Sequence, residues 1–162
     1  MPADVFISYR RDDNSHAAGR LFSELSHLMP RERIFMDVDA IPPGADFVDV
    51  LGEKVAACGV LLAVIGPDWL DARDATGHRR LDDPNDFVRV EIAAALQRKI
   101  PVVPILVDNT PMPRADTLPD ELKPLARRNA IQLSHLRFSS DVARLVERLK
   151  LAPAPVERGQ FR

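Results

Sequence analysis

The chain has 162 residues, 46% of them apolar and 28% charged, with a formal net charge of −2; these ordinary globular values amount to one domain and exclude a disordered chain. No apolar run reaches the roughly 18 residues of a membrane span, and Met1-Pro2-Ala3-Asp4 has neither the basic nor the apolar stretch of a secretory signal, so a cytoplasmic domain without a membrane partner is expected. The single cysteine, Cys58, excludes an internal disulfide or a cysteine-based zinc cluster, and the near-neutral balance gives no electrostatic reason to expect nucleic acid.

Val5-Phe6-Ile7-Ser8-Tyr9 is predicted as the first strand. Ala18, Leu21, Phe22, Leu25, Leu28 and Met29 recur at helical spacing, with Asn14 or Ser15 as the cap. Residues 34–38 read as a second strand, and Phe47, Val50, Leu51 and Val55 form the stripe of a second helix started by Asp46. Residues 60–65 are apolar throughout, as in a central strand covered on both faces. A third helix over 86–98 carries Val88, Ile92, Ala95 and Lys99 on its core stripe. In a fourth strand over 102–107, Pro104 removes one ladder donor, which points to a bulge or a place near the sheet edge. A proline-rich connection with a short helix near 120–126 leads to a weak fifth strand over 130–133. Val142, Leu145, Val146 and Leu149 line a last helix, with Ser139 or Ser140 as its cap. Residues 1–150 are thus expected to form one domain. The Ala-Pro-Ala-Pro run in 151–162 reads as a linker or frayed end, leading to a further domain beyond Arg162.

Strands alternating with helices imply a parallel sheet with right-handed crossovers. The predicted fold is a flavodoxin-like α/β three-layer sandwich: a five-stranded parallel sheet in the order 2-1-3-4-5, with helices on both faces. Its ligand crevice lies beyond the carboxyl ends of the strands, which singles out three loops. Tyr9-Arg10-Arg11-Asp12-Asp13-Asn14 contains no glycine, so it is neither a dinucleotide fingerprint nor a phosphate loop. Asp12-Asp13 also matches the metal pair of a response-regulator receiver, but Leu133-Ser134-His135 lacks the lysine that chemistry needs. The acidic loop over 37–46 is stiffened by Pro42 and Pro43, and Gly44 is free to take a positive φ. It is either a plain connection or a surface presented to a partner. About 20 residues follow the third strand, long against a usual ~4–6; within them Trp69 either anchors the loop on the sheet or meets a ligand. Glu91 stands four residues after Phe87, on one helical face and at the border of the buried stripe. Spacing alone leaves it either a satisfied border glutamate or a half-desolvated carboxylate that attracts a cation. Cys58 reads as a small buried hydrophobe. His16, His27, His78 and His135 show no paired metal spacing, and no metal is expected.

Phe6-Ile7-Ser8-Tyr9-Arg10-Arg11, the aspartate-rich second loop ending at Gly44, and Phe87-Val88-Arg89-Val90-Glu91 before Pro101-Val102-Val103-Pro104-Ile105 resemble the blocks of a TIR (Toll/interleukin-1 receptor) domain of the bacterial type. The resemblance runs over residues 3–150. It implies the flavodoxin-like sheet and, for many bacterial members, cleavage of NAD+ between nicotinamide and ribose. The family's catalytic glutamate maps onto Glu91, and Phe87 replaces the tryptophan common four residues before it. Asp37, Ile41, Pro42, Pro43 and Gly44 match the family's BB loop, which joins TIR domains and completes a neighbour's site; self-association into a homo-oligomer or filament is implied. Ser8, Tyr9, Arg10, Arg11, Asp39, Phe87 and Trp69 are the expected substrate contacts. Of these, the aromatic rings would flank a base, and Arg10 or Arg11 would meet the diphosphate or else pair with a surface acid. NAD+ is then a substrate, and no cofactor is required. Nicotinamide leaves as a neutral molecule, so a single carboxylate facing the oxocarbenium-like ribose suffices. Two function classes result. One is an NAD+ glycohydrolase, with cyclisation to a cyclic ADP-ribose as a second outcome, in antiphage or cell-death signalling. The other is a non-enzymatic module that joins TIR domains or mimics host TIR signalling. An N-glycosidase acting on another nucleotide stands in reserve.

Overall fold

Alternation of apolar side chains along the strands decides what each face of the sheet meets. The computed structural model describes residues 4–36 and 41–150. Its strands are β1 (Val5–Ser8), β2 (Ile34–Phe35), β3 (Val60–Ile65), β4 (Val102–Leu106) and β5 (Ile131–Gln132). Four helices alternate with them: α1 (Arg11–Ser26), α2 (Phe47–Ala56), α3 (Phe87–Gln97) and α4 (Phe138–Leu149). All pairings are parallel, in the order β2-β1-β3-β4-β5, as the sequence leads one to expect. Val5, Ile7, Leu62, Val64, Val103 and Ile105 pack with Leu21 and Leu25 of α1 and Val142 and Leu145 of α4. Their neighbours Phe6, Leu61, Ala63, Ile65 and Leu106 face the other way, onto Val55 of α2, Val88 and Ile92 of α3, and Leu118, Leu122 and Leu125. Every residue of β3 is buried, and each Val, Leu or Ile hidden there contributes about 1.5–3 kcal/mol.

Boundaries differ from expectation where backbone pairing, not apolar pattern, sets them. α1 begins at Arg11, so Asn14 and Ser15 lie inside it, and its N-cap Arg10 makes no side-chain cap. β2 stops at Phe35; residues 37–38 of the predicted strand lie outside the described residues. Asp46 caps α2 by accepting from the Val48 amide at 2.9 Å. Lys99 lies beyond the end of α3, exposed and in the left-handed region at φ 58°, and not on a core stripe; an unpaired buried ammonium would be too costly there. Pro104 sits in an unbulged register with β3. Leu106, two residues on, gives its carbonyl to the Leu133 amide, so the missing donor of Pro104 points to the β5 side, before the β5 ladder begins at Ile105. The predicted short helix is a 3-10 helix over Asp120–Arg127.

α4 starts after Arg137 without a side-chain cap. Ser139 donates to Glu24 and Ser140 to the Arg137 carbonyl, while Asp141 accepts the Ser134 amide at 2.9 Å. Cys58 is buried, and desolvation pushes its thiol up to about 12, leaving it an inert packing group. Among the described residues no helix is long and apolar enough to cross a membrane. The linker expected over 151–162 lies outside them.

Candidate active site

At the carboxyl end of β1 the side-chain alternation continues past the last ladder residue. Phe6 faces α3, and so do Ser8 and Arg10. Ser8 is buried and its Oγ donates to Glu91 Oε1 at 2.8 Å. Arg10 is buried as well; Nη1 and Nη2 donate to the two carboxylate oxygens of Asp86 at 2.9 and 2.8 Å, and Nε to the Trp69 carbonyl at 3.3 Å. Asp86 also caps α3, accepting from the Arg89 amide at 3.2 Å. Ser8 of β1 and Arg10 just beyond it thus hold Glu91 of α3 and that helix's N-cap Asp86, five positions apart.

Beside these ties opens a cavity of about 490 Å³, within the usual ligand-pocket range. Tyr9, Arg10, Arg11, Asp86, Phe87 and Glu91 line it, and Asp74, Arg80, Asp83 and Asn85 form its outer wall. Glu91 is 9% exposed. Phe87 is 45% exposed and stacks on Phe47, with centroids 5.0 Å apart, at the start of α2. The long loop after β3 is folded into this wall. An antiparallel bridge joins Arg73 to Arg79, and Gly77 turns the tip at φ 87°. Asp74 accepts from the Thr76 hydroxyl and the amides of His78 and Thr76, which hold its carboxyl below the usual range.

Of the expected site residues, the fold brings Tyr9, Arg10, Arg11, Phe87 and Glu91 to one cavity. Ser8 does not line it but stands behind Glu91. The guanidinium of Arg10 is paired at the cavity wall with Asp86, a largely buried acid and not a surface one. Trp69 is fully buried in the core on the α3 face and is absent from the cavity wall; the anchoring alternative describes it. Asp37 and Asp39 lie outside the described residues. Ile41 is half-buried, and Pro42, Pro43 and Gly44 are exposed in a turn closed by the Ala45 amide on the Pro42 carbonyl at 3.0 Å, with Gly44 at φ 82°. None of these four lines the cavity.

Asp86 is the residue that sequence reasoning missed. Its position just before Phe87 reads as a helix cap, but nothing local ties it to an arginine 76 positions earlier. Asp13 is the second: its carboxylate accepts the amides of Gly66 and Asp68 at 2.9 and 2.7 Å, where β3 leaves the sheet. Among the described residues no group of three or more His, Cys, Asp or Glu is placed to hold a metal ion. What the arrangement offers is the buried Glu91 carboxylate, oriented by a hydroxyl, at the wall of a cavity that also carries aromatic rings, arginines and the Arg10-paired Asp86. Such a group stabilises positive charge developing on a bound molecule.

The sequence model of the TIR domain family matches residues 5–149. The chain is 30% identical over 135 residues to the NAD(+) hydrolase sarm1 of Drosophila melanogaster, covering 82% of this chain and 9% of that protein. It is 30% identical over 152 residues to the NAD(+) hydrolase SARM1 of Danio rerio, covering 93% of this chain and 20% of that protein. It therefore spans only a small part of either relative. Among solved structures, the TIR domains of the activated Roq1 resistosome recognising the pathogen effector XopQ superimpose with a TM-score of 0.58. That alignment covers 91% of this chain and 99% of the other at 15% identity, a likeness of fold. With a family match running from the first strand to the last helix, over a sheet of the expected order, this chain belongs to the TIR domain family.

Proposed function

We propose that this TIR domain is an NAD+ glycohydrolase in which Glu91 is the catalytic residue. The observation that carries this reading is the buried Glu91 carboxylate on the cavity wall; the two relatives named as NAD(+) hydrolases support it. The bond between ribose C1′ and the nicotinamide nitrogen breaks, and its electron pair leaves with the nitrogen, so the cationic ring departs neutral. Positive character passes to the ribose, where Glu91 counters it. Water adds to C1′ and releases a proton, giving ADP-ribose; attack by an adenine nitrogen instead of water gives a cyclic product. Phe87 and Tyr9 offer aromatic surface for a base, and Arg11 offers a guanidinium for the diphosphate. NAD+ is consumed, and no metal or cofactor takes part.

Activation by self-association through the exposed Pro42-Pro43 turn belongs to the same proposal. It is supported by the fold neighbour, whose TIR domains sit in an activated resistosome. The matching segment is a minor share of both relatives, which supports a companion sensor domain as the source of the trigger. The setting we infer is cytoplasmic immune or cell-death signalling, with antiphage defence as its bacterial form.

Incubation with NAD+ at high protein concentration, followed by product chromatography, tests this with Glu91→Ala alongside. Nicotinamide release should fall about a hundredfold to a thousandfold in the variant, with circular dichroism and melting point almost unchanged. Full activity in Glu91→Ala overturns the assignment. A second reading, a non-enzymatic TIR–TIR module, is favoured by one observation: the Pro42-Pro43 turn is exposed and off its own cavity. On that reading NAD+ stays intact even in the assembled state, while substitution of Ile41 or Pro43 abolishes partner binding. A panel of other nucleotides in the same assay separates a broader N-glycosidase.

A further inference from the structure

We infer that Ser8 is a positioning residue for Glu91, fixing the direction of its carboxylate and favouring its ionised form. The inference rests on the NAD+ glycohydrolase reading for its consequence, and on geometry for its substance. Ser8 is 1% exposed and does not line the cavity, so a substrate in that cavity does not reach its hydroxyl. Its Oγ donates to Glu91 Oε1 at 2.8 Å, across 83 residues of sequence.

A glutamate on a helix has three side-chain torsions, and holding it in one direction needs a partner that does not itself move. Ser8 meets that need. It has one torsion, and its backbone lies in the β1–β3 ladder opposite Ala63. The bidentate Arg10–Asp86 pair ties the same strand end to the start of α3, a second join that opposes sliding of the helix along the strand. A donor on a carboxylate oxygen stabilises the charged form over the protonated one. The charged form is the one that opposes positive character on a ribose. A serine that merely satisfied a buried hydroxyl would affect stability alone; a positioning serine moves the titration of Glu91 and the chemical step together.

The test uses the full chain with Ser8→Ala, Ser8→Thr and Ser8→Cys. Thr keeps the hydroxyl; Cys is close in size but a weak donor, and covers the case in which Ala folds poorly. The rate of nicotinamide release is measured against pH and NAD+ concentration, and the Glu91 carboxyl is titrated by carbon-13 NMR of the labelled side chain. In Ser8→Ala and Ser8→Cys, kcat should fall roughly tenfold to a hundredfold with KM nearly unchanged. The acid limb and the Glu91 midpoint should both rise by about one pH unit. Ser8→Thr should recover most of the rate. An unmoved Glu91 midpoint in both Ala and Cys variants overturns the inference, whatever happens to the melting temperature. The NMR titration needs no turnover, so the two readings fail separately. Wild-type protein that leaves NAD+ intact when assembled sinks the enzyme, while an unmoved midpoint sinks Ser8.

Discussion

Asp13 shows how a single carboxylate is used for architecture beside a site built on another. It accepts the amides of Gly66 and Asp68 and so holds the chain where β3 enters the long loop. Burial is the largest influence on it and keeps its carboxyl above the ordinary range, outweighing those two amide donors. A carboxyl that binds its proton more tightly in the native than in the unfolded chain favours folding at pH below its ordinary pKa. That contribution is lost as pH rises through the folded value. Asp13→Asn removes the titration and leaves one acceptor for two amides, a loss of about 1 kcal/mol at neutral pH. The wild-type advantage in melting temperature should therefore be larger at about pH 3 than at about pH 7; an advantage that grows with pH would contradict it. Asp13 was legible only as half of an acid pair, and its partners lie 53 and 55 residues away. Glu91 was legible further, because helical spacing puts it at the border of a stripe. Spacing is local, and the hydroxyl that meets it comes from another element.

Between elements, the decisive join is the end of β1 against the start of α3. Arg10 and Asp86 form a buried bidentate pair, and Asp86 caps the helix that carries Glu91. Arg10→Ala leaves a buried carboxylate unpaired, which costs about 3–5 kcal/mol. Arg10→Ala combined with Asp86→Asn should recover part of that loss, since the amide carries no stranded charge and still offers an oxygen to the Arg89 amide. Urea unfolding of the two single variants and the double checks this, and strict additivity would remove the coupling. The four helices and the central strands were legible because their apolar periods are long and regular. The edge strand β5 is shorter than the 130–133 its apolar pattern suggests, because its ladder is only two residues long, and part of the span expected for β2 lies outside the described residues. A large aromatic in a long loop serves as anchor or contact alike, so the sequence leaves the role of Trp69 open. Burial on the α3 face decides for the anchor.

For the molecule as a whole, the proposed chemistry and the proposed contact surface occupy different places. Glu91 faces a cavity on its own chain, whereas Ile41, Pro42, Pro43 and Gly44 do not line that cavity. If the turn of one copy completes the cavity of the next, activity depends on the assembled fraction. Where assembly is sparse and pairwise, a tenfold rise in protein should raise nicotinamide release about a hundredfold. A completed site also predicts complementation. Glu91→Ala supplies an intact turn with no carboxylate, and a Pro43-substituted chain supplies the carboxylate with a damaged turn. Mixing these two inactive proteins should restore part of the activity, because some junctions pair a sound turn with a sound cavity. Rates strictly proportional to protein, with no recovery on mixing, would place the whole reaction within one chain and leave the turn a scaffold contact only.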